Sequence, residues 1–323
     1  MSATIVVLDP LAQPRMDRLR PLVPDGFVLT TTKSRDLEDQ LAGVRDADFA
    51  ITGDVPVTAQ MMRLGAEHRL KAVHKWGVGY DNIDLGAARD AGVRVMRTTG
   101  SNALAVAETA LAMILALNRA IVAGHDGIAR GEWLKGALGP SIFLLSGKTV
   151  GLVGLGFIGK ALARMLAGFG CRILYAKPTP LSDEDGLALG AHRVDFPTLL
   201  AESDIVSIHA ALNEDTKSLI GAKAFAAMKE GVLFINTARA EIVDEVALAA
   251  ALDNGQVRGA GLDVFAVEPI PADHPLRGRP NVILTPHIGA QASENFAKTV
   301  TRMFDNIRAV AEGREPPALD VLV

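Results

Sequence analysis

Short runs of aliphatic and β-branched residues alternate along this chain with longer stretches of mixed polarity, and the alternation restarts near the middle. Over residues 1–100, Ile5–Leu8, Phe49–Thr52, Ala72–Lys75 and Val93–Val95 have the continuous apolar character of strands covered on both faces. Between them, Leu37–Val44 and Thr58–Leu64 carry apolar residues at helical spacing. The second series runs through Thr149–Val153, Arg172–Tyr175, Ile205–Ile208, Val232–Ile235, Ala260–Val264 and Val282–Leu284. Strands separated by helices imply parallel sheets with helical crossovers, so the pattern predicts an α/β protein with two doubly wound parallel-sheet domains. Ser101–Ala120 reads as a long linking helix with Ser101 or Asn102 as its N-cap, and Ser293–Glu312 as a last helix before a Pro-containing tail. The expected arrangement is a central domain, 102–288, inserted into a smaller one made from both termini, 1–101 with 289–323.

Composition narrows the class. The 323 residues suffice for two domains, 49% are hydrophobic, and the net charge of −4 lacks the basic stripe of a nucleic-acid binder. No apolar run reaches the roughly 20 residues a membrane span needs; Ala103–Leu117, the richest, is interrupted by Glu108 and Thr109. The segment Met1–Pro10 has no basic region ahead of its apolar stretch and reads as a first strand rather than a signal peptide. Cys171 is the one cysteine, which excludes an internal disulfide framework and a cysteine-based metal cluster. No metal is expected, and a cytoplasmic enzyme fits best.

The chemistry begins at Gly154-Leu155-Gly156-Phe157-Ile158-Gly159, directly after the strand Thr149–Val153 and before the helical spacing of Lys160–Gly168. Gly154 makes the tight turn, Gly156 admits a pyrophosphate close to the backbone, and Gly159 lets helix and strand pack together. Free N–H groups at the helix start attract the anion. That context makes the loop a dinucleotide site of the Rossmann kind. NAD calls for an acid at the end of the next strand, to hold the ribose diol. After Arg172–Tyr175 stand Ala176-Lys177-Pro178-Thr179, with no acid. Lys177 suits a 2′-phosphate, so the cofactor is NADP or NAD, with NADP favoured.

Ligands of such sheets bind beyond the carboxyl ends of the strands. Three polar residues follow predicted strands there: Arg239, Glu268 and His287. Reduction of a 2-keto acid needs a cation for the carboxylate, a proton donor for the carbonyl oxygen, and a group that fixes the donor. Arginine's fork binds a carboxylate bidentately, and histidine exchanges a proton near neutrality. A neighbouring carboxylate sets the imidazole tautomer and favours its protonated form.

With these residues in view, the sequence resembles the D-isomer-specific 2-hydroxyacid dehydrogenases, which include D-3-phosphoglycerate dehydrogenases and glyoxylate/hydroxypyruvate reductases. The resemblance spans nearly the whole chain. It is carried by Gly77-Val78-Gly79-Tyr80-Asp81-Asn82-Ile83-Asp84, Val106-Ala107-Glu108, the glycine loop, and His209 with Asn213-Glu214-Asp215-Thr216. Asn236-Thr237-Ala238-Arg239, Asp263 to Pro269, and Thr285-Pro286-His287-Ile288-Gly289 complete it. It implies a Rossmann domain inserted into a flavodoxin-like substrate domain. It implies that Arg239 clamps the substrate carboxylate, that His287 is the acid/base, and that Glu268 is its partner. Trp76, Gly77, Val78 and Gly79 would contact substrate. Asp263 would meet the nicotinamide carboxamide. Thr237 and Ala238 would line the cofactor cleft, and Phe157, Ile158, His209, Ala210, Thr216 and Gly289 would complete the cofactor contacts. A homodimer formed through the dinucleotide domains, partly by the helix after Asn102, and a hinge that closes over the cofactor are further implications.

Some positions depart from the usual pattern. Lys177 replaces the acid, Ala240 stands where glycine is usual, Thr109 where histidine often follows Ala107-Glu108, and Ala211 where proline is common. Lys75, beside Trp76, is a candidate partner for a phosphate or second carboxylate on the substrate. A formate- or phosphite-type dehydrogenase is an alternative within the superfamily, though Glu268 argues against the formate type, which resembles a Gln–His pairing. A dinucleotide-sensing regulatory protein is an alternative from another class.

Overall fold

The computed structural model describes residues 2–323, without the side chains of Asp183 and Asp185; Met1 of the N-terminal segment lies outside the described residues. The chain divides into two compact units, one that runs to Asn102 and resumes at Ala292, and one that comprises Ala103–Gln291.

In the first unit, β1 (Ala3–Val7), β2 (Phe27–Thr31), β3 (Phe49–Thr52), β4 (Ala72–Lys75) and β5 (Arg94–Met96) form a five-stranded sheet in the order β2-β1-β3-β4-β5. Every pairing is parallel. This is the flavodoxin-like order, in which ligands sit where the strand order reverses. β3 and β4 are buried throughout, because helices cover both faces of a parallel sheet. One face packs against the helix Ser293–Ala311 through Val300, Met303, Phe304 and Ile307. The C-terminal segment closes the β5 edge, where the Leu322 amide donates to the Val95 carbonyl at 2.8 Å.

The second unit holds seven strands: β6 (Thr149–Val153), β7 (Arg172–Ala176), β8 (Ala191–Arg193), β9 (Ile205–Ile208), β10 (Val232–Asn236), β11 (Val257–Leu262) and β12 (Val282–Leu284). Their order is β12-β11-β10-β9-β6-β7-β8, all parallel, which is the doubly wound dinucleotide arrangement with one added edge strand. Strand order reverses between β6 and β9, so a crevice opens at their carboxyl ends. The helix Ala103–Asn118 buries Ala107, Ala110, Met113 and Ile114 against one face of this sheet. No single helix among the described residues is long and apolar enough to cross a membrane; the pair Ala103–Asn118 and Ile121–Ala129 passes by length and composition only when taken together, bent by 63°.

Three details correct the sequence reading. β2 and β8 are not among the expected strands. Both are sheet edges, with only partial burial or exposed ends, and so lack the apolar runs that mark the interior strands. β11 begins at Val257 and ends at Leu262, not at Val264; Asp263 already belongs to the turn after it. The linking helix starts at Ala103, and the Asn102 side-chain oxygen is buried without a hydrogen-bond partner, so it caps nothing.

Candidate functional site

β6 is buried throughout and delivers Gly154 at φ +91°, a left-handed conformation that glycine adopts without strain. A Cβ there would lie 2.8 Å from the His209 carbonyl oxygen and 2.7 Å from the Ala210 nitrogen, because β9 runs alongside. Gly159 is equally tight, its would-be Cβ 2.8 Å from the Gly154 carbonyl oxygen. Gly156 differs, since nothing lies within 4 Å of the position a Cβ would take. It is the N-cap of the helix Phe157–Ala167 and has no side chain to cap it. The first intrahelical bond runs from the Lys160 amide to the Gly156 carbonyl, so the amides of Phe157, Ile158 and Gly159 precede the helical ladder. An uncapped helix start behind open space is the cradle a pyrophosphate requires.

The surroundings fit the rest of a dinucleotide. The Ala176 carbonyl at the end of β7 accepts the Gly154 amide at 2.9 Å, which brings Lys177 beside the glycine loop. From β8, Arg193 donates to the carbonyl oxygens of Pro178 at 3.1 Å and Lys177 at 3.4 Å. Lys177 thus follows β7 at the sequence position where an acid would bind a ribose diol, and the Arg193 guanidinium closes the same turn. Sequence reasoning misses Arg193 because β8 itself is not anticipated. His209 follows β9, and its Nε2 lies 2.9 Å from the Ser207 hydroxyl. Desolvation pushes its pKa down to about 4, so the imidazole is neutral at pH 7. The Thr216 hydroxyl braces its own loop, donating to the Ala211 carbonyl at 2.7 Å and accepting the Asn213 amide at 2.9 Å. The Thr237 hydroxyl is buried with no partner, a polar atom that a bound ligand could satisfy.

The catalytic candidates follow β10, β11 and β12, adjacent strands whose carboxyl ends share one edge of the sheet. Asn236 shapes the first turn: its carboxamide oxygen accepts the Ala238 amide at 3.0 Å and its nitrogen donates to the Arg239 carbonyl at 2.9 Å. Arg239 is half-buried there, and one guanidinium nitrogen donates to the Ala238 carbonyl at 2.7 Å. After β11, Glu268 accepts the Phe265 amide on Oε1 at 3.0 Å. Its Oε2 lies 2.8 Å from Nδ1 of His287, which follows β12. The structure thus brings Glu268 and His287 into direct contact, while Arg239 shares their sheet edge through its own turn.

His287 sits at φ +52°, a conformation uncommon for a residue with a side chain. Asp263 holds it there. The Asp263 carboxylate, 2% exposed, accepts the Thr285 hydroxyl at 2.5 Å and the amides of Ile288 at 3.0 Å and Gly289 at 2.7 Å. Any side chain at 289 would collide with it, since a Cβ would stand 2.7 Å from Oδ2. Asp263 therefore braces the loop that carries the imidazole, a task the sequence does not disclose.

In the first unit, Trp76 and Gly77-Val78-Gly79 follow β4. Gly77 has φ +139°, and the amides of Gly77, Val78 and Gly79 donate to no acceptor among the described residues. The Trp76 indole packs against Phe296 (centroids 6.5 Å apart) beneath the Arg15 guanidinium. Lys75 is buried, and its ammonium donates to the Gly53 carbonyl and to Asn82 Oδ1 at 2.8 Å. Both of these partners belong to the same unit, so the ammonium is engaged within that unit. Among the described residues no group of three or more His, Cys, Asp or Glu is placed to hold a metal ion.

The family model described as D-isomer specific 2-hydroxyacid dehydrogenase, NAD binding domain, matches residues 111–289. A glyoxylate reductase of Thermococcus litoralis is 42% identical over 261 residues, which cover 78% of this chain and 77% of that protein. A D-3-phosphoglycerate dehydrogenase of Mycobacterium leprae is 37% identical over 97% of this chain, but this chain spans only 58% of its length. A solved structure from Thermus thermophilus superposes with a TM-score of 0.86 at 35% identity, covering 99% of this chain and 100% of that one.

Proposed function

Because the chain belongs to the D-isomer-specific 2-hydroxyacid dehydrogenases, a family of nicotinamide-dependent oxidoreductases, we propose that it interconverts a small 2-keto acid and the D-2-hydroxy acid, with NAD(P)H as hydride donor in reduction and NAD(P)+ as acceptor in oxidation. The observation that carries this reading is the Glu268–His287 contact at 2.8 Å on the sheet edge it shares with Arg239 and the glycine loop.

When bound, the reduced nicotinamide supplies the hydride. Gly154, Gly156 and Gly159 with the amides of Phe157 and Ile158 would hold the pyrophosphate, and His209, Ala210, Thr216, Thr237, Ala238 and Gly289 would line the remainder. Arg239 binds the substrate carboxylate through its planar fork. His287 donates a proton to the keto oxygen in reduction and removes it in oxidation. Glu268 on Nδ1 fixes the tautomer that presents Nε2, and Asp263 keeps the loop in its strained form. The substrate belongs with glyoxylate, hydroxypyruvate and phosphohydroxypyruvate, in keeping with the glyoxylate reductase and phosphoglycerate dehydrogenase relatives. Lys177, backed by Arg193, favours NADPH over NADH.

The reading includes a homodimer. Leu104, Ile121, Val122, Ile128, Trp133 and Leu144 are large apolar side chains left exposed on and beyond the helix Ala103–Asn118, and a second copy would cover them. Substitution of Arg239 by Lys tests the substrate assignment. A point charge cannot replace bidentate binding, so kcat/KM for the keto acid should fall while dinucleotide affinity holds; undiminished kcat/KM would remove Arg239 from the site.

A further inference from the structure

Behind the turn that carries Glu268 stands a second carboxylate–imidazole pair, Glu245 and His274. Glu245 opens the helix Glu245–Asp253, whose first turn is fixed by its N-cap: Asp244 accepts the amides of Val246 and Ala247, each at 3.0 Å. The Glu245 carboxylate bridges two partners. Its Oε1 accepts the Ala266 amide at 3.4 Å, and its Oε2 lies 3.3 Å from His274 Nε2. Nδ1 of His274 accepts the Leu276 amide at 3.3 Å, which places the ring proton on Nε2, aimed at Glu245. The same ring meets Phe265 edge-on, with centroids 6.2 Å apart.

Consecutive amides of one turn are thus taken by two different carboxylates: Phe265 by Glu268, Ala266 by Glu245. The pair is well shielded, with His274 and Glu245 side chains 10% and 19% exposed, whereas His287 and Glu268 are 41% and 38% exposed. It also joins two parts of the site, because Glu245 opens the helix that follows the 3-10 turn Ala240–Ile242 directly after Arg239. Displacement of Glu245 would loosen both.

We propose that Glu245 and His274 are positioning residues for the reaction: they hold the 265–268 turn so that Glu268 keeps Oε2 on His287, and they tie that turn to the Arg239 segment. The proposal rests on the reading of Arg239, Glu268 and His287 given above. Both residues act through Glu268.

The test compares E245Q, H274A and H274Q with E268Q in the full-length protein. In E245Q an amide N–H faces the Nε2–H of His274, and in H274A the partner is gone. Both should lose kcat by about 10- to 100-fold, the order expected when a catalytic group shifts by a fraction of an ångström to an ångström. The keto-acid KM and the NADPH affinity, read by fluorescence titration, should change little. The solvent deuterium isotope effect on kcat should rise as proton transfer becomes limiting. H274Q, whose amide N–H can still reach Glu245, should recover most of the loss. If H274A does not fold, E245Q against H274Q carries the comparison. Wild-type kcat in E245Q beside a slow E268Q would overturn the proposal, as would a kcat loss matched by loss of dinucleotide binding and not relieved in H274Q. Wild-type turnover in E268Q would overturn the relay reading itself, and this inference with it.

Discussion

His287 Nδ1 stands 2.8 Å from Glu268 Oε2, and the second Glu268 oxygen is already committed to the Phe265 amide. The carboxylate is therefore anchored on one side and orients the imidazole on the other. His287 can turn only Nε2 to a substrate, the arrangement a proton shuttle needs. A His287→Asn variant should lose about 10²- to 10⁴-fold in kcat, the usual contribution of a general acid. Asparagine tolerates the left-handed backbone at 287 better than alanine, so the loop should persist. Steady-state rates alongside dinucleotide titration check this; near-normal kcat with intact binding would remove His287 from proton transfer.

The glycine loop separates folding from ligand binding. Gly154→Ala places a methyl within 2.8 Å of the His209 carbonyl at a residue with φ +91°, so both melting temperature and dinucleotide affinity should drop. Gly156→Ala meets nothing within 4 Å, so the fold should survive while dinucleotide binding weakens. Thermal melts paired with fluorescence titration distinguish the two. Equal loss of melting temperature in both variants would refute the assignment of the space before Gly156 to the cofactor.

In the proposed function, cofactor choice turns on Lys177. Lys177→Asp should move the ratio of kcat/KM values toward NADH, because it supplies a diol acceptor and removes a phosphate contact. An unchanged ratio would reject Lys177 as the determinant and direct attention to Arg193, whose guanidinium closes the same turn.

Buried His74 links stability to pH. Its Nδ1 donates to the Lys75 carbonyl at 2.8 Å, and its Nε2 accepts from Asn306 at 3.2 Å, so the ring is held neutral. Burial lowers its pKa from 6.5 to about 4. The folded state therefore binds the proton less readily than the unfolded chain. The contribution is whole above about pH 6.5 and is lost as pH falls toward 4, amounting to at most about 3 kcal/mol. His74→Gln retains a donor and an acceptor but does not titrate, so its melting temperature should fall less between pH 7 and pH 4.5. Parallel slopes for the two proteins would contradict the assignment.

Much of this is legible from residue order. Interior strands of parallel sheets are continuous apolar runs, so β3, β4, β6, β9 and β10 stand out, and with them the strand end where Arg239 lies. The edge strands β2 and β8 carry no such signal: Val28 in β2 is 47% exposed, and β8 has only Ala191 buried. The braces are also hidden. Asp263 reaches Gly289 across 26 positions, and Glu245 meets His274 across 29, and neither spacing has a periodic pattern to mark it. The Lys75 contacts are hidden in the same way, since nothing in residue order pairs a strand-end lysine with the Gly53 carbonyl and Asn82.

The most direct test is turnover. Purified protein with NADPH or NADH should consume the reduced dinucleotide, followed by its absorbance, when glyoxylate, hydroxypyruvate or 3-phosphohydroxypyruvate is added, and chiral analysis of the hydroxypyruvate product should show D-glycerate. Tight dinucleotide binding without turnover of any 2-keto acid would contradict the account and favour a dinucleotide sensor.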